Sequence, residues 1–345
     1  MTTNDKLLKQ FMQAGIDKLD IEDLLSDSFI IIDELYKLFI QQSVSNRPGP
    51  KSKFSDSEVS AISWVGEIFS QGRTTPRPQT NGIDSENAWY NFVVKHFTYL
   101  FHHIPERSRF NRRRRNLWKV TDTLRQKILE NLPYGDILII DSLPVPICDF
   151  KRAHFSKSPL KSEYINGLRA TYGHCATKDL GTYLGFKVHL IVSQQGLPLT
   201  FVVSNADVDD RDVLPSQPSL RSLRDPKMIA DFLNTIIIGD KGYISEPLRQ
   251  ELYDDYGISL LTQKRSNQKN SDTRYIRKTI NRLRKRVEVT NNQLDDQFNL
   301  SKVRARTHWG FLTRVCDKFA GFTLGAFINL TIGRPMLALK DLAFA

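Results

Sequence analysis

The sequence predicts a mixed α/β domain preceded by an all-helical N-terminal module, and three observations carry that prediction. Two apolar runs, Asp136-Ile-Leu-Ile-Ile-Asp141 and Thr235-Ile-Ile-Ile-Gly-Asp240, are short, rich in isoleucine and end at a carboxylate. Such runs read as buried strands whose last residue meets solvent at the margin of a sheet. The first hundred residues repeat their apolar positions at helical spacing instead. Late in the chain Arg284-Lys-Arg-Val-Glu288 places a third carboxylate inside a basic helical pattern.

The elements follow in order. Residues 1 to about 43 carry the stripes Leu7, Leu8, Phe11, Met12 and then Leu24, Ile31, Leu35, Leu38, which predicts helix. Arg47-Pro-Gly-Pro50 breaks the pattern. Ser55-Asp-Ser-Glu58 is a capping box before Val59, Ile62, Val65 and Phe69, so a helix starts there. Gln71 to Asp84 is loop, and a helix follows with Trp89, Phe92, Val93, His96, Phe97 and Leu100 facing inward. After Leu132-Pro133 the texture turns to strands at 136–141, 183–192, 197–203, 235–239 and 258–261. The second and third are joined as a hairpin by Ser193-Gln-Gln-Gly196. Helices are predicted around Arg211–Leu223 and near Ser245–Tyr256, with a basic loop at Lys264–Lys269. Ile276, Ile280, Leu283, Val287, Leu294 and Phe298 then form a helical core stripe, and Trp309 to Leu330 is a second, buried helix. The expected divisions are a helical N-terminal module at 1–105, an arginine-rich connecting helix at 106–132, an α/β domain at 133–300 and a C-terminal helical extension at 301–345 packing on the core.

Net charge of +11 and a pI of about 9.5 favour a polyanionic partner such as nucleic acid. The densest charge is Arg107, Arg109, Arg112, Arg113, Arg114, Arg115 and Lys119, with no acid between 107 and 119. A charge run is usually a solvated helix face. Four consecutive arginines surround the helix, however, and a phosphate backbone would relieve their repulsion. Three cysteines make no disulfide framework, which fits a reducing cytoplasm. The polar start has no signal-peptide pattern, and no apolar run approaches the roughly 20 residues of a membrane span. The expectation is a cytoplasmic protein without a membrane partner.

Three carboxylates on separate elements are the donor set that hard cations such as Mg²⁺ prefer. Two such ions about 4 Å apart can run phosphodiester cleavage without a covalent protein intermediate. Asp141 and Asp240 end neighbouring strands, and Glu288 lies about 100° around its helix from the buried Val287, at the margin of the packed face. Each alone has a plainer reading: a turn cap for either aspartate, or an i, i+4 partner of Arg284 for Glu288.

Taken together, Ile139-Ile-Asp141-Ser142, Tyr183-Leu-Gly-Phe-Lys-Val-His189-Leu, Asp240-Lys-Gly-Tyr243-Ile-Ser245 and Arg284-Lys-Arg-Val-Glu288 resemble, in order, the DDE transposase domain of bacterial insertion sequences. The segments Arg107–Trp118 and Val303–Leu312 are similar to those proteins as well. The resemblance implies an RNase H-like mixed five-stranded sheet flanked by helices, behind a DNA-binding N-terminal module. It implies Asp141, Asp240 and Glu288 as catalytic residues holding two Mg²⁺ ions, with Mn²⁺ able to substitute. The reaction would be hydrolytic nicking at element ends, followed by attack of the freed 3′-OH on target DNA. The partners would be double-stranded DNA, as terminal inverted repeats and as target, and a second copy of the chain. The expected location is the bacterial cytoplasm, with the protein on the nucleoid when it is bound to DNA. Arg107, Arg109, Arg112, Arg113, Arg114, Arg115, Lys241 and Arg284 are the expected DNA contacts.

The sequence departs from many such proteins in two places. Asn281 and Asp295 stand where a tyrosine and a lysine often flank the glutamate, and the stretch between Asp240 and Glu288 is too short for a large β insertion. The alternatives are another RNase H-like nuclease and a catalytically silent, transposase-derived DNA-binding protein. A zinc site on Cys148, His154, His174 and Cys175 fits no common finger spacing.

Overall fold

The computed structural model describes residues 19–44, 52–69, 85–175, 180–213, 234–263 and 273–342. The stripe Leu7–Met12, the loop after Gln71, most of the helix expected at Arg211–Leu223 and the basic loop after Lys264 lie outside the described residues. The chain divides into two compact units. One comprises 1–132, 294–300 and 312–345, and the other comprises 133–293 and 301–311. The late residues from Leu312 onward therefore group with the N-terminal helices rather than with the sheet domain.

In the first unit, α1 (Ile21–Phe39) starts at Asp20, whose side chain accepts from the Asp23 amide at 2.8 Å. It buries Leu24, Leu25, Ile31, Ile32 and Leu35, whereas Leu38, expected on the inner stripe, is 46% exposed. The capping box forms at the start of α2 (Asp56–Phe69): the Glu58 amide donates to Ser55 Oγ at 3.0 Å, and the Ser55 amide donates back to the Glu58 carboxylate. In α3 (Glu86–His96), Trp89 is buried and its indole N–H donates to the Ile62 carbonyl at 2.8 Å. His96 is exposed instead of inward-facing and packs its ring on Phe92. The arginine-rich α4 (Arg107–Asn116) and then α5 (Trp118–Leu129) complete the N-terminal set.

The second unit is built on a six-stranded sheet. Its strands are β1 (Ile137–Asp149), β2 (Thr171–Cys175), β3 (Gly181–Ser193), β4 (Pro198–Asn205), β5 (Ile236–Gly239) and β6 (Ser259–Thr262). β6, β5, β1 and β3 lie side by side; β5 runs parallel to β1 and to β6, and β3 runs antiparallel to β1. The far edge of β3 is shared. β4 pairs with Phe186–Val192 and β2 with Gly181–Gly185. β2 is the strand that the five-strand expectation omits. Its sequence, Thr-Tyr-Gly-His-Cys, is five residues long, is interrupted by Gly173 and carries no apolar run, and the free edge of β3 recruits it.

β1 also runs further than expected. Asp141 is not its last residue: the strand continues to Asp149, and what ends near Asp141 is its pairing with β5. Beyond that point one side of β1 is an open edge, which is where Pro144 and Pro146 can be accommodated without breaking a ladder.

The remaining helices follow their sequence signals. α6 (Glu246–Tyr256) begins at a Ser245 cap and ends at Gly257, whose φ of 66° is the left-handed turn that favours glycine. α7 (Arg274–Asp296) buries Ile280, Val287 and Leu294 but leaves Ile276 45% exposed. In α8 (His308–Thr331), the part from Leu312 to Leu330 that groups with the first unit is buried nearly all round, as its apolar composition predicts.

Candidate active site

The parallel register pairs Ile137, Leu138 and Ile139 of β1 with Ile236, Ile237 and Ile238 of β5. Asp141 and Asp240 each stand two residues past the last of these pairs. Side chains alternate along a strand, so both follow the same face as Ile139 and Ile238. The two aspartates therefore emerge side by side where β5 leaves β1. Asp240 is followed by a single 3₁₀ turn, Lys241–Tyr243, and caps it: Oδ1 accepts from the Gly242 amide at 2.7 Å. Gly242 matters here because a Cβ would sit 2.8 Å from Asp240 Oδ1 and 3.5 Å from Asp210 Oδ2.

Asp141 is half-buried, and its Oδ2 accepts from Asn291 Nδ2 of α7 at 2.8 Å. Burial pushes its carboxyl up to about 6, with the negative charges of Asp240 and Asp210 acting in the same direction. A backbone hydrogen bond at Ser142 and the charge of Arg284 oppose that rise. Asp141 is thus a carboxylate short of positive charge.

Two α7 residues act on Asp141, Arg284 through its charge and Asn291 through its hydrogen bond. Glu288 lies between them, four residues after one and three before the other, on the same helical face. Its side chain is exposed and makes no hydrogen bond or ion pair among the described residues. The structure therefore brings Asp141 and Asp240 together and places Glu288 on the facing stripe of the helix, without closing the three into one cage. Among the described residues no three His, Cys, Asp or Glu side chains gather around a common point, Cys148, His154, His174 and Cys175 included. The carboxylate pair nevertheless suits a hard divalent cation: its donors are all oxygen, and the charge of Arg284 does not offset the burial and carboxylate repulsion at Asp141.

Asn291 and Asp210 lie beyond the expected site residues. Asn291 was findable, being three residues from Glu288 on a helix whose core stripe is legible. Asp210 has no such signal, because it stands in the polar run Asp207-Val-Asp-Asp210.

The expected DNA contacts divide. Lys241, Arg109, Arg112 and Arg115 are exposed. Arg107 donates to the Asn87 side chain, and Arg113 is tied to Asp56 at 2.6 Å and to Ser52 at 2.8 Å. Arg114 is corrected outright. It is 8% exposed, and its guanidinium joins Glu67 and Glu86 at 2.8 Å each and also Asp317, so it has no surface from which to reach a phosphate. The acids that neutralise this run come from other helices rather than from between 107 and 119.

No curated protein and no solved structure matches the chain. The family described as the transposase DDE domain matches residues 133–308, just over half of the chain and the whole span from β1 to the start of α8. With Asp141, Asp240 and Glu288 all inside that span, the chain belongs to the DDE-domain transposase family.

Proposed function

We propose that this chain is the transposase of an insertion sequence, nicking DNA at the element's ends and joining the freed 3′-OH to target DNA. The observation that carries the reading is the pair Asp141 and Asp240 emerging together at the split between β1 and β5, facing the α7 stripe of Arg284, Glu288 and Asn291. An RNase H-like fold supports it. Leaving β2 aside, the strands lie in the order third, second, first, fourth, fifth, with the first three antiparallel and the last two parallel to the first.

Asp141, Asp240 and Glu288 would hold two Mg²⁺ ions, with Mn²⁺ an acceptable substitute. The chemistry such a pair supplies is charge stabilisation of the attacking and leaving oxygens in an in-line displacement. Asn291 orients the Asp141 carboxylate through its 2.8 Å hydrogen bond, and the Gly242 amide fixes that of Asp240. Arg284 and Lys241 supply positive charge for the phosphates on either side of the scissile bond. Arg109, Arg112 and Arg115 offer a further phosphate-binding stripe on the helical unit, which we assign to recognition of the terminal repeats. Cutting two ends makes a dimer on DNA the natural assembly. No helix among the described residues is long and apolar enough to cross a membrane.

The test is Mg²⁺-dependent nicking of DNA carrying an element end. Asp141→Ala, Asp240→Ala and Glu288→Ala should each lower it by at least about a thousandfold while DNA affinity stays within about twofold, since removing a metal ligand takes away transition-state stabilisation and little phosphate binding. Near-normal nicking by any one variant removes that residue from the site. A wild-type chain that binds DNA but never nicks it favours the catalytically silent alternative.

A further inference from the structure

Behind the two aspartates lies a polar cluster that the reaction as described does not use. Across the β1–β3 ladder Ser142 pairs with His189, and Lys187 is two residues along from His189. By strand alternation these three side chains share the face of the sheet opposite Asp141. All three converge on Asp210, in the short helical turn Asp210–Val213 after β4. Ser142 Oγ donates to Asp210 Oδ2 at 3.3 Å, Lys187 Nζ donates to Oδ1 at 3.2 Å, and His189 Nδ1 is 3.8 Å from Oδ1. Lys187 also donates to the Val208 carbonyl at 2.8 Å, which ties β3 to the segment carrying Asp210. On its other side Asp210 faces the turn that Asp240 caps, where a Cβ added at Gly242 would sit 3.5 Å from Asp210 Oδ2.

Two buried polar groups point into this cluster without a hydrogen bond of their own. One is His189 Nδ1, in a side chain 2% exposed. Ser204 Oγ gives its proton to the Asn205 carbonyl, so the 2.8 Å contact from His189 Nε2 requires that nitrogen to carry the proton. Nδ1 is then a bare acceptor facing a carboxylate, and Lys187 is left as the cation bonded to Asp210. The other is the Tyr243 hydroxyl, in a side chain 1% exposed and within the field of Asp210, Asp141 and Asp240. Unsatisfied buried polar atoms are costly, and their concentration here marks a polar site rather than packing.

We propose that Asp210 is a positioning residue for the Asp141–Asp240 pair. Its carboxylate, anchored by Lys187, holds Ser142 beside one aspartate and borders the Gly242 turn beside the other, and so fixes the spacing at which the two carboxylates meet a pair of divalent cations. The inference rests on the reading of Asp141 and Asp240 as metal ligands. Groups that orient such ligands govern affinity without touching the ion, and their loss costs on the order of 10–100-fold in metal binding or activity.

The experiment titrates Mn²⁺ into the full-length protein by calorimetry without DNA, and follows thermal melting of each variant. Wild type should bind, and Asp141→Ala should lose binding. Asp210→Asn should bind at least about tenfold more weakly, with the Mg²⁺ concentration for half-maximal nicking rising in parallel and DNA affinity unchanged. Asp210→Glu should recover part of the loss. An Asp210→Asn protein with wild-type Mn²⁺ affinity overturns this inference alone. Asp141→Ala with wild-type affinity, or a wild type that binds no Mn²⁺, overturns the metal-site reading and this inference with it. If Asp210→Asn does not fold, Ser142→Ala decides, because it removes one tie without unpairing Lys187. Weakening of about threefold supports the positioning role, and unchanged affinity overturns it.

Discussion

Two helices, one in each unit, concentrate the positive charge of this chain, and they dispose of it differently. α4 crowds Arg107, Arg109 and Arg112–Arg115 into three turns, while α7 spreads Arg274, Arg277, Lys278, Arg282, Lys285 and Arg286 along a longer face. In α4 the inner arginines are neutralised by Asp56, Glu67, Glu86 and Asp317, acids that the fold brings from other helices. These six α7 cations are exposed, Arg284 beside Asp141 being the half-buried seventh, and none of the six makes an ion pair among the described residues. The denser cluster is thus partly structural, and the sparser one is the freer. Charge density along a sequence counts cations. Only the fold says which of them still need an anion.

The comparison breaks most visibly at Arg114. Replacing it by methionine keeps the length of the side chain but removes the guanidinium. Glu67 retains Lys318 and Glu86 retains Arg314, whereas Asp317, 1% exposed, loses the one ion-pair partner it has among the described residues. Removing one partner of a buried pair costs about 3–5 kcal/mol. Urea denaturation of Arg114→Met should show a loss of that size, and Arg112→Met should change stability by less than about 0.5 kcal/mol. Equal effects at the two positions would mean that Arg114 is as superficial as its neighbour.

The same contrast explains what could be read in the sequence. The capping box at Ser55–Glu58, the Ile-rich strands and the Ser193–Gly196 hairpin turn are local signals, and each forms in place, although β1 runs on to Asp149. Asp141, Asp240 and Glu288 stand out as candidates because two end apolar runs and the third flanks a clean stripe. What local reading missed depends on partners far along the chain. β2 is made a strand by an edge of β3, Arg114 is buried by acids on α2, α3 and α8, and Asp210 reaches Ser142 across 68 residues. Asp141 shows both sides of this. Its residue type and strand were readable, but its place partway along β1 is set by where β5 stops.

A smaller effect is expected at Asp141 itself. Its folded carboxyl titrates at about 6, above the ordinary aspartate value of 3.8. A raised carboxylate favours the native state only when protonated, so its contribution is unfavourable above pH 6 and fades as pH falls from 6 towards 4. Without divalent metal, Asp141→Asn should raise stability at pH 7.5 by on the order of 2 kcal/mol and change little at about pH 4. Thermal melts at the two pH values give the sign. Destabilisation at the higher pH would show that the carboxylate is well paired rather than short of positive charge.

The exposed cations are compared by the salt dependence of DNA binding, measured by fluorescence anisotropy. Changing Arg277, Lys278, Arg282 and Lys285 to glutamine should flatten the slope by up to about four, one for each phosphate no longer neutralised. The triple change of Arg109, Arg112 and Arg115 should flatten it by up to about three. An unchanged slope in either set would assign that face to solvent.

The smallest effect is predicted for Asp295, the other acid on the late helix that could compete with Glu288. An offset of seven residues returns it to nearly the same face. Asp141 nevertheless takes its helix contacts from Arg284 and Asn291, and Glu288 stands between those two, whereas Asp295 lies a turn beyond Asn291. The rise from Glu288 to Asp295 is roughly 10 Å, too far for both acids to serve a metal pair about 4 Å wide without straining each side chain. Asp295→Ala should therefore keep Mg²⁺-dependent nicking within about tenfold of wild type, while Glu288→Ala abolishes it. The opposite outcome, nicking abolished without Asp295 and kept without Glu288, would move the site about two turns towards the C-terminal end of α7 and make the Asn291 bond to Asp141 a flank of the site rather than part of its centre.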